Sequence, residues 1–221
     1  MNIYLSSQTE DMLQGILESV NGRQIIDHTY TLTPYVSIAK SLIIGGYLRD
    51  EILREQLHYD LVSQDIDVLA FSDDINCLQA PISWQKLPNT VRRPIKPSKG
   101  VVRQPAMFSY GKISRYTLSH LGYYKVPGVD LLVNLLHCNL GFTSTQELLE
   151  ELDFGVNQIA YDGSRLYASE LFRKDINGRT LTWSGKMTSG VIRTHAEQRA
   201  HRLAKRLKFQ PIWPDTQKNA A

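Results

Sequence analysis

Residues 41–53 read SLIIGGYLRDEIL, and the run DIDVL follows at 65–69. Residues 41–44 are a short apolar run that predicts a strand, which Gly45 and Gly46 break. YLRDEILREQL then continues as an amphipathic helix with Leu48, Ile52 and Leu53 facing inward. DIDVLAF alternates as a strand does, with Ile66, Val68 and Ala70 on one side and Asp65 and Asp67 on the other. Glycines without a Cβ let backbone N–H groups approach a bulky anion, and the helix N-terminus behind them adds a favourable dipole and free donors. An ordinary tight strand–helix turn would use glycine too. Two carboxylates on one strand face can ligate the same hard cation, although a solvated strand edge would also carry them. Taken in this order, the turn and the paired aspartates point to a bound nucleoside triphosphate.

A pair of Mg²⁺ ions would need a third carboxylate from a neighbouring strand. Asp130, in PGVDLLVN, is the candidate, because it interrupts an apolar strand where a buried charge would otherwise be costly.

Further out, SSQTEDMLQGILESV carries Ser and Thr caps and helical spacing of Leu13, Ile16, Leu17 and Val20, so a helix is expected over about 9–20. Residues 79–128 hold six prolines and predict an extended, loop-rich region with hairpin strands near 101–110 and 113–118. KVPGVDLLVNLL returns to a strand pattern. TSTQELLEEL is a helix capped by Thr143 or Ser144. DFGVNQIAYDG and SRLYASELF are a helix or turn followed by a short hairpin, and SGVIRTHAEQRAHRLAKRLKF is a long basic helix. Its apolar stripe is Val191, Ala200, Leu203, Ala204 and Leu207.

The chain has 221 residues, 42% of them hydrophobic and 21% charged, as in an ordinary globular protein of one domain with an extension. Its apolar runs are too short to span a bilayer, and the N-terminus lacks the layout of a signal peptide. Cys77 and Cys138 alone suggest neither a disulfide scaffold nor a metal knuckle, so a reducing cytoplasm is the expected location. The net charge of +3 is unevenly spread, because residues 79–129 carry +9 and the remainder −6. With the basic C-terminal helix, that imbalance suits either a polyanionic partner or solvated surfaces. Tyr110, Tyr116, Tyr123 and Tyr124 interleave with the basic segment, as stacking on single strands or packing of a hairpin would both allow.

IIGGYLRDEIL followed by DIDVL resembles the head of the class II tRNA nucleotidyltransferases (CCA-adding enzymes) and bacterial poly(A) polymerases, of the polymerase-β nucleotidyltransferase superfamily. Gly45, Gly46, Arg49 and Asp50 match the family's Gly-Gly-x-x-Arg-Asp, and Asp65 and Asp67 its Asp-x-Asp. ELDFGVNQIAYDG is similar to the Arg-Arg-Asp-Phe-Thr-Ile-Asn-Ala segment through Asp153, Phe154 and Asn157. RAHRLAKRLKF is similar to the neck pattern through Arg199, Ala200, Arg202, Ala204, Leu207 and Phe209. Two departures stand out: Glu151 and Leu152 occupy the tandem-arginine positions, and Ile192, Arg193 and Ala196 replace the base-reading Glu-Asp-x-x-Arg.

The resemblance implies an α+β head with a small mixed sheet flanked by helices. The head would occupy 1–140, with a basic insertion at 79–128, and a neck-like helical extension would occupy 141–221. It implies transfer of a nucleoside monophosphate from a ribonucleoside triphosphate (ATP or CTP) to a hydroxyl, with the 3′ end of a tRNA or other RNA favoured. Nucleotidylation of a protein or small molecule, or a non-catalytic nucleotide- or RNA-binding module, are the alternatives. On this reading two Mg²⁺ ions are held by Asp65, Asp67 and Asp130. The nucleotide meets Gly45, Gly46, Arg49, Asp50, Asp153, Asn157, Arg199 and Arg202. Arg92, Arg93, Lys96, Lys99, Arg103, Lys205 and Arg206 contact nucleic acid.

Overall fold

A computed structural model of the chain describes residues 3–21, 41–71, 80–88, 118–138, 144–184 and 190–213. The hairpin expected near 101–110 and 113–118 lies outside these residues, apart from Leu118 at the start of a strand. So do Arg92, Arg93, Lys96, Lys99 and Arg103.

Helix α1 (Ser7–Asn21) leads to strand β1 (Ser41–Ile44), helix α2 (Gly46–Leu57) and strand β2 (Asp65–Phe71). Three more strands follow: β3 (Gln85–Lys86), β4 (Leu118–Lys125) and β5 (Leu132–Cys138). Next come α3 (Thr145–Glu150), a 3-10 turn (Gly155–Asn157) and the hairpin β6 (Ile159–Tyr161) and β7 (Leu166–Ala168). The last described elements are α4 (Glu170–Gly178), β8 (Thr180–Thr182), α5 (Gly190–Leu207) and β9 (Gln210–Ile212). None of the described helices is long and apolar enough to cross a membrane.

The architecture is mixed α+β. Seven strands form one sheet in the order β3-β4-β5-β2-β1-β6-β7, antiparallel at every junction except the parallel pair β2 and β5. The sheet crosses the boundary expected at residue 140, because β6 pairs with β1 and β7 extends it to the edge. Residues 159–161 and 166–168 therefore lie in the same sheet as β1 and β2. Short β8 and β9 make a parallel pair of their own, from either side of α5. Neither they nor α4 is expected from the sequence pattern.

Period-two alternation sorts β2 between two apolar clusters. Ile66, Val68 and Ala70 join Leu13, Ile16, Leu17 and Val20 of α1 and Leu48, Ile52 and Leu53 of α2. Leu69 and Phe71 face the other way, onto Leu148 and Leu149 of α3. Asp65 and Asp67 share that second face, at the end of β2 nearer the chain's start. Ser144 caps α3 by accepting from Glu147 N at 3.2 Å. Phe154 meets Trp183 edge-on, with ring centroids 5.2 Å apart, and Trp213 lies edge-on to Phe154 and tilted against Trp183. This aromatic cluster fastens the region around β8 and β9 to the segment after α3.

Candidate functional site

The site begins where β1 stops. Gly45 has φ +72° and ψ −121°, a conformation essentially reserved for glycine. Its own N–H is taken by Ile159 O of β6 at 3.0 Å, and its carbonyl accepts from Arg49 N at 3.1 Å. Gly45 therefore shapes the turn and does not itself offer a donor. Helix α2 starts without a side-chain cap, so Gly46, Tyr47 and Leu48 carry the first-turn N–H groups that no intrahelical carbonyl meets.

That helix end opens on a cavity of about 140 Å³. The cavity is lined by Gly45, Gly46, Tyr47, Gln64, Asp65 and Asp67 and by Leu152, Asn157, Arg199, Leu203 and Arg206. The structure thus brings the glycine turn and both β2 aspartates together, as the sequence reading expects. Both aspartates are half-buried. Asp67 Oδ1 accepts from Asn134 Nδ2 at 2.7 Å.

Arg49 and Asp50 also border the cavity, but each is only 2% exposed and committed to protein partners. Arg49 donates through Nε and Nη2 to Asp50 Oδ1 at 2.9 and 2.7 Å, and through Nη1 to Asn157 Oδ1 at 2.6 Å. Asp50 Oδ2 accepts from Arg206 Nη2 and, at 3.3 Å, from Ser63 Oγ. Asn157 donates onward to Asp153 Oδ1 at 3.1 Å, and Asp153 Oδ2 lies 2.7 Å from Arg199 Nη1. The result is one chain of charged groups bridged by the neutral Asn157, Arg206–Asp50–Arg49–Asn157–Asp153–Arg199, tying α2 and α5 to the 3-10 turn. Burial lowers the Arg49 pKa against the pull of Asp50, and burial raises that of Asp153 against the pull of Arg199. The Tyr47 phenol is likewise pushed up, by burial first and by Glu51 second.

Helix α5 supplies the outer wall through Arg199, Leu203 and Arg206, spaced four and three residues apart on one face. Arg202 and Lys205 fall on the exposed face, so Arg202 does not reach the cavity where the sequence reading expects it. Arg206, expected at nucleic acid, is the one that faces in, with Nη2 shared between Asp50 and Val62 O.

Asp130 differs from its expected setting. It sits exposed in a bend two residues before β5 and is absent from the described lining of the cavity. The β5 residue registered beside Asp67 is Asn134. A polar interruption of GVDLLVNLL does mark the site, but it is the second one. Ionic cost singles out Asp130, yet the chain meets that cost by leaving the residue in water. Among the described residues no cluster of three or more His, Cys, Asp or Glu could hold a metal. Asp65 and Asp67 are two hard oxygen donors on one strand face. They suit Mg²⁺, which commonly binds one or two carboxylates and completes its shell with water and substrate phosphates.

No family model matches the chain, and no curated protein matches it. Among solved structures it is similar to an apo form of a tRNA-processing enzyme, with 15% identity over 96% of this chain and 46% of that one and a TM-score of 0.48. A CCA-adding enzyme in complex with CTP matches at 13% identity over 94% and 40%, with a TM-score of 0.46. A tRNA-processing enzyme with CTP matches at 16% over 79% and 40%, with a TM-score of 0.42. The chain spans less than half the length of each. So distant a likeness leaves the chemistry to be argued from this chain's own residues.

Proposed function

We propose that this chain is a metal-dependent nucleotidyltransferase that moves a nucleoside monophosphate from a ribonucleoside triphosphate to a hydroxyl, with an RNA 3′ end as the favoured acceptor. The observation that carries the reading is that the uncapped N-terminus of α2 and both β2 carboxylates line one cavity. Anion donors and cation ligands then border one space, as a Mg²⁺-triphosphate would require. The cavity, at about 140 Å³, is smaller than the roughly 300–1,000 Å³ of whole small-molecule sites, which suits the phosphate end of a nucleotide.

In this mechanism the N–H groups of Gly46 and Tyr47, which line the cavity, receive the triphosphate, and the glycine at 46 lets it approach. Asp65 and Asp67 would hold Mg²⁺, which when bound would supply Lewis acidity for attack of the acceptor hydroxyl on the α-phosphorus with pyrophosphate as the leaving group. Arg49, Asp50, Asp153 and Asn157 act as the frame that holds the turn against α5, and not as contacts to the nucleotide. Arg206 spends one nitrogen on Asp50 and Val62, and its other guanidinium donors have no partner among the described residues at the cavity it lines. The acceptor reading draws on the exposed Arg202 and Lys205 of α5, whose charge suits a phosphate backbone.

One observation favours a second reading, a nucleotide- or RNA-binding module without catalysis. Leu152, at a position where the family resemblance implies an arginine, lines the cavity with carbon. Paired carboxylates have no evident use in such a module, which ranks it second. The test is incubation with Mg²⁺, each α-³²P-labelled ribonucleotide in turn and total tRNA, beside an Asp65→Ala/Asp67→Ala control. Label on RNA that vanishes in the control is expected. Label on protein would move the acceptor to a protein side chain, and triphosphate binding without any transfer would favour the binding module.

A further inference from the structure

Strand β5 is apolar along most of its length, yet Asn134 stands near its middle and is only 5% exposed. Its Nδ2 donates to Asp67 Oδ1 at 2.7 Å, and its Oδ1 is buried with no donor among the described residues. The orientation of the amide follows from charge, since turning it over would set its oxygen against a carboxylate oxygen. A buried amide that is half satisfied costs about 1–3 kcal/mol for the unmet group. For packing alone, leucine would serve better at this position, as it does at Leu132 and Leu136 on the same strand face. What Asn134 does is touch Asp67. The two are register partners on parallel strands and share a face. The hydrogen bond holds Oδ1 of the carboxylate towards β5 and so sets its plane within the cavity wall.

We propose that Asn134 is a positioning residue for Asp67. A neutral amide stands where a third carboxylate would otherwise lie beside Asp67, so the site works with two carboxylates and an amide that orients one of them. The inference rests on the reading of Asp65 and Asp67 as divalent-cation ligands. It adds that cation affinity is set by a side chain that is not itself a ligand, as partners behind a ligand commonly do.

The test uses the full chain, with Mn²⁺ binding followed by electron paramagnetic resonance and thermal unfolding followed in metal-free buffer. Asn134→Leu is expected to unfold at the same temperature as the parent protein or higher, and to bind Mn²⁺ about 10–100-fold more weakly. Asn134→Asp is expected to unfold lower without metal, because two carboxylates meet at hydrogen-bonding distance. It should also bind Mn²⁺ more tightly and regain its stability when Mn²⁺ is added. A less stable Asn134→Leu with unchanged Mn²⁺ affinity would make Asn134 a core residue and overturn the inference. Should Asn134→Leu not fold, Asn134→Asp decides, and an unchanged Mn²⁺ affinity there overturns it equally. Failure of the underlying reading looks different: parent protein whose Mn²⁺ binding is absent, or survives Asp65→Ala/Asp67→Ala, removes the cation site and this inference with it.

Discussion

Two charged signatures border the same cavity under opposite physical rules. Arg49 and Asp50 on α2 are almost wholly buried and answer each other, Asn157 and Arg206. Asp65 and Asp67 on β2 stay half-exposed and share the sheet face that opens on the cavity. The first pair belongs to the frame, because charges taken out of water persist only when paired and hydrogen-bonded. The second pair keeps its access to water and ions, which is what a cation ligand needs. Spacing along the chain puts all four residues at the site. Burial divides them into a buried, paired frame and a half-exposed pair open to the cavity.

The largest effect should come from breaking the frame. Asp50→Ala leaves the Arg49 guanidinium buried without its carboxylate and removes Arg206's anchor on α2. Loss of one member of a buried pair costs about 3–5 kcal/mol. Chemical denaturation should show that loss, with the free protein falling to marginal stability. Asp65→Ala should leave stability within about 1 kcal/mol, as for other partly exposed substitutions. It should nevertheless cut nucleotide transfer by roughly 10³-fold, because a metal-held transition state loses several kcal/mol. Equal destabilisation by the two variants would erase the division drawn above.

The frame can be loaded from behind as well. A Cβ added at Gly155 would stand 2.7 Å from Leu171 Cγ and closer still to the Asp175 carboxylate, which is itself buried under Thr180 and Thr182. Gly155→Ala should therefore push α4 off the turn that carries Asn157, at about 1–3 kcal/mol. Activity should fall only in step with stability, since no cavity-lining side chain is removed. A rate loss far beyond the destabilisation would mean that the turn's exact placement governs the chemistry.

The two glycines carry the same contrast into adjacent residues. Gly45→Ala forces a side chain into φ +72° and ψ −121°, which costs about 1–3 kcal/mol and should appear as a lowered melting temperature. Gly46 has no such constraint, and a Cβ there would only touch Arg49 Nη2 at 3.6 Å. Gly46→Ala should hold or slightly raise stability, yet increase KM for the nucleotide, because the new methyl stands at the helix end the phosphates approach.

These differences mark where the sequence is legible and where it is not. The β1–turn–α2–β2 unit and the Ser144 cap are written in local signals: a glycine pair, a period of two and a side chain three residues from its partner. Helix α4 has a local signal too, since Ser169 Oγ accepts from Phe172 N at 2.9 Å, but SRLYASELF reads equally as hairpin and the helix runs only from Glu170 to Gly178. Strands β8 and β9 have three residues each and exist only because the fold brings them together across α5, so no period announces them. The exchange of Asp130 for Asn134 is subtler. Pattern alone flags both as polar breaks in an apolar run, and only the register of β5 against β2 tells which one meets Asp67. Likewise helical phase, and not motif membership, puts Arg206 on the cavity face and Arg202 in water.

The smallest effect belongs to the surface. Asp162, in the β6–β7 turn, is an acid that neither a frame nor a cavity claims. Burial would raise its pKa, but donors from Tyr167, the Ser164 and Arg165 backbone and the Ser164 hydroxyl hold it below the usual carboxylate range. A depressed pKa in the fold means that the unfolded chain binds the proton more readily. The stabilisation is therefore complete above the unfolded value of about 3.9 and fades as pH falls through the lower folded value. Solvent screening keeps it under about 1 kcal/mol. Asp162→Asn should be slightly less stable than the parent at pH 7 and indistinguishable from it at the acid end of a denaturation series. A gap that instead widens towards low pH would mean that donors to the neutral acid, and not to the carboxylate, organise this turn. At pH 7 Asp50→Ala should be far more destabilised than Asp162→Asn, which separates a charge needed to bury other charges from one that only collects hydrogen bonds.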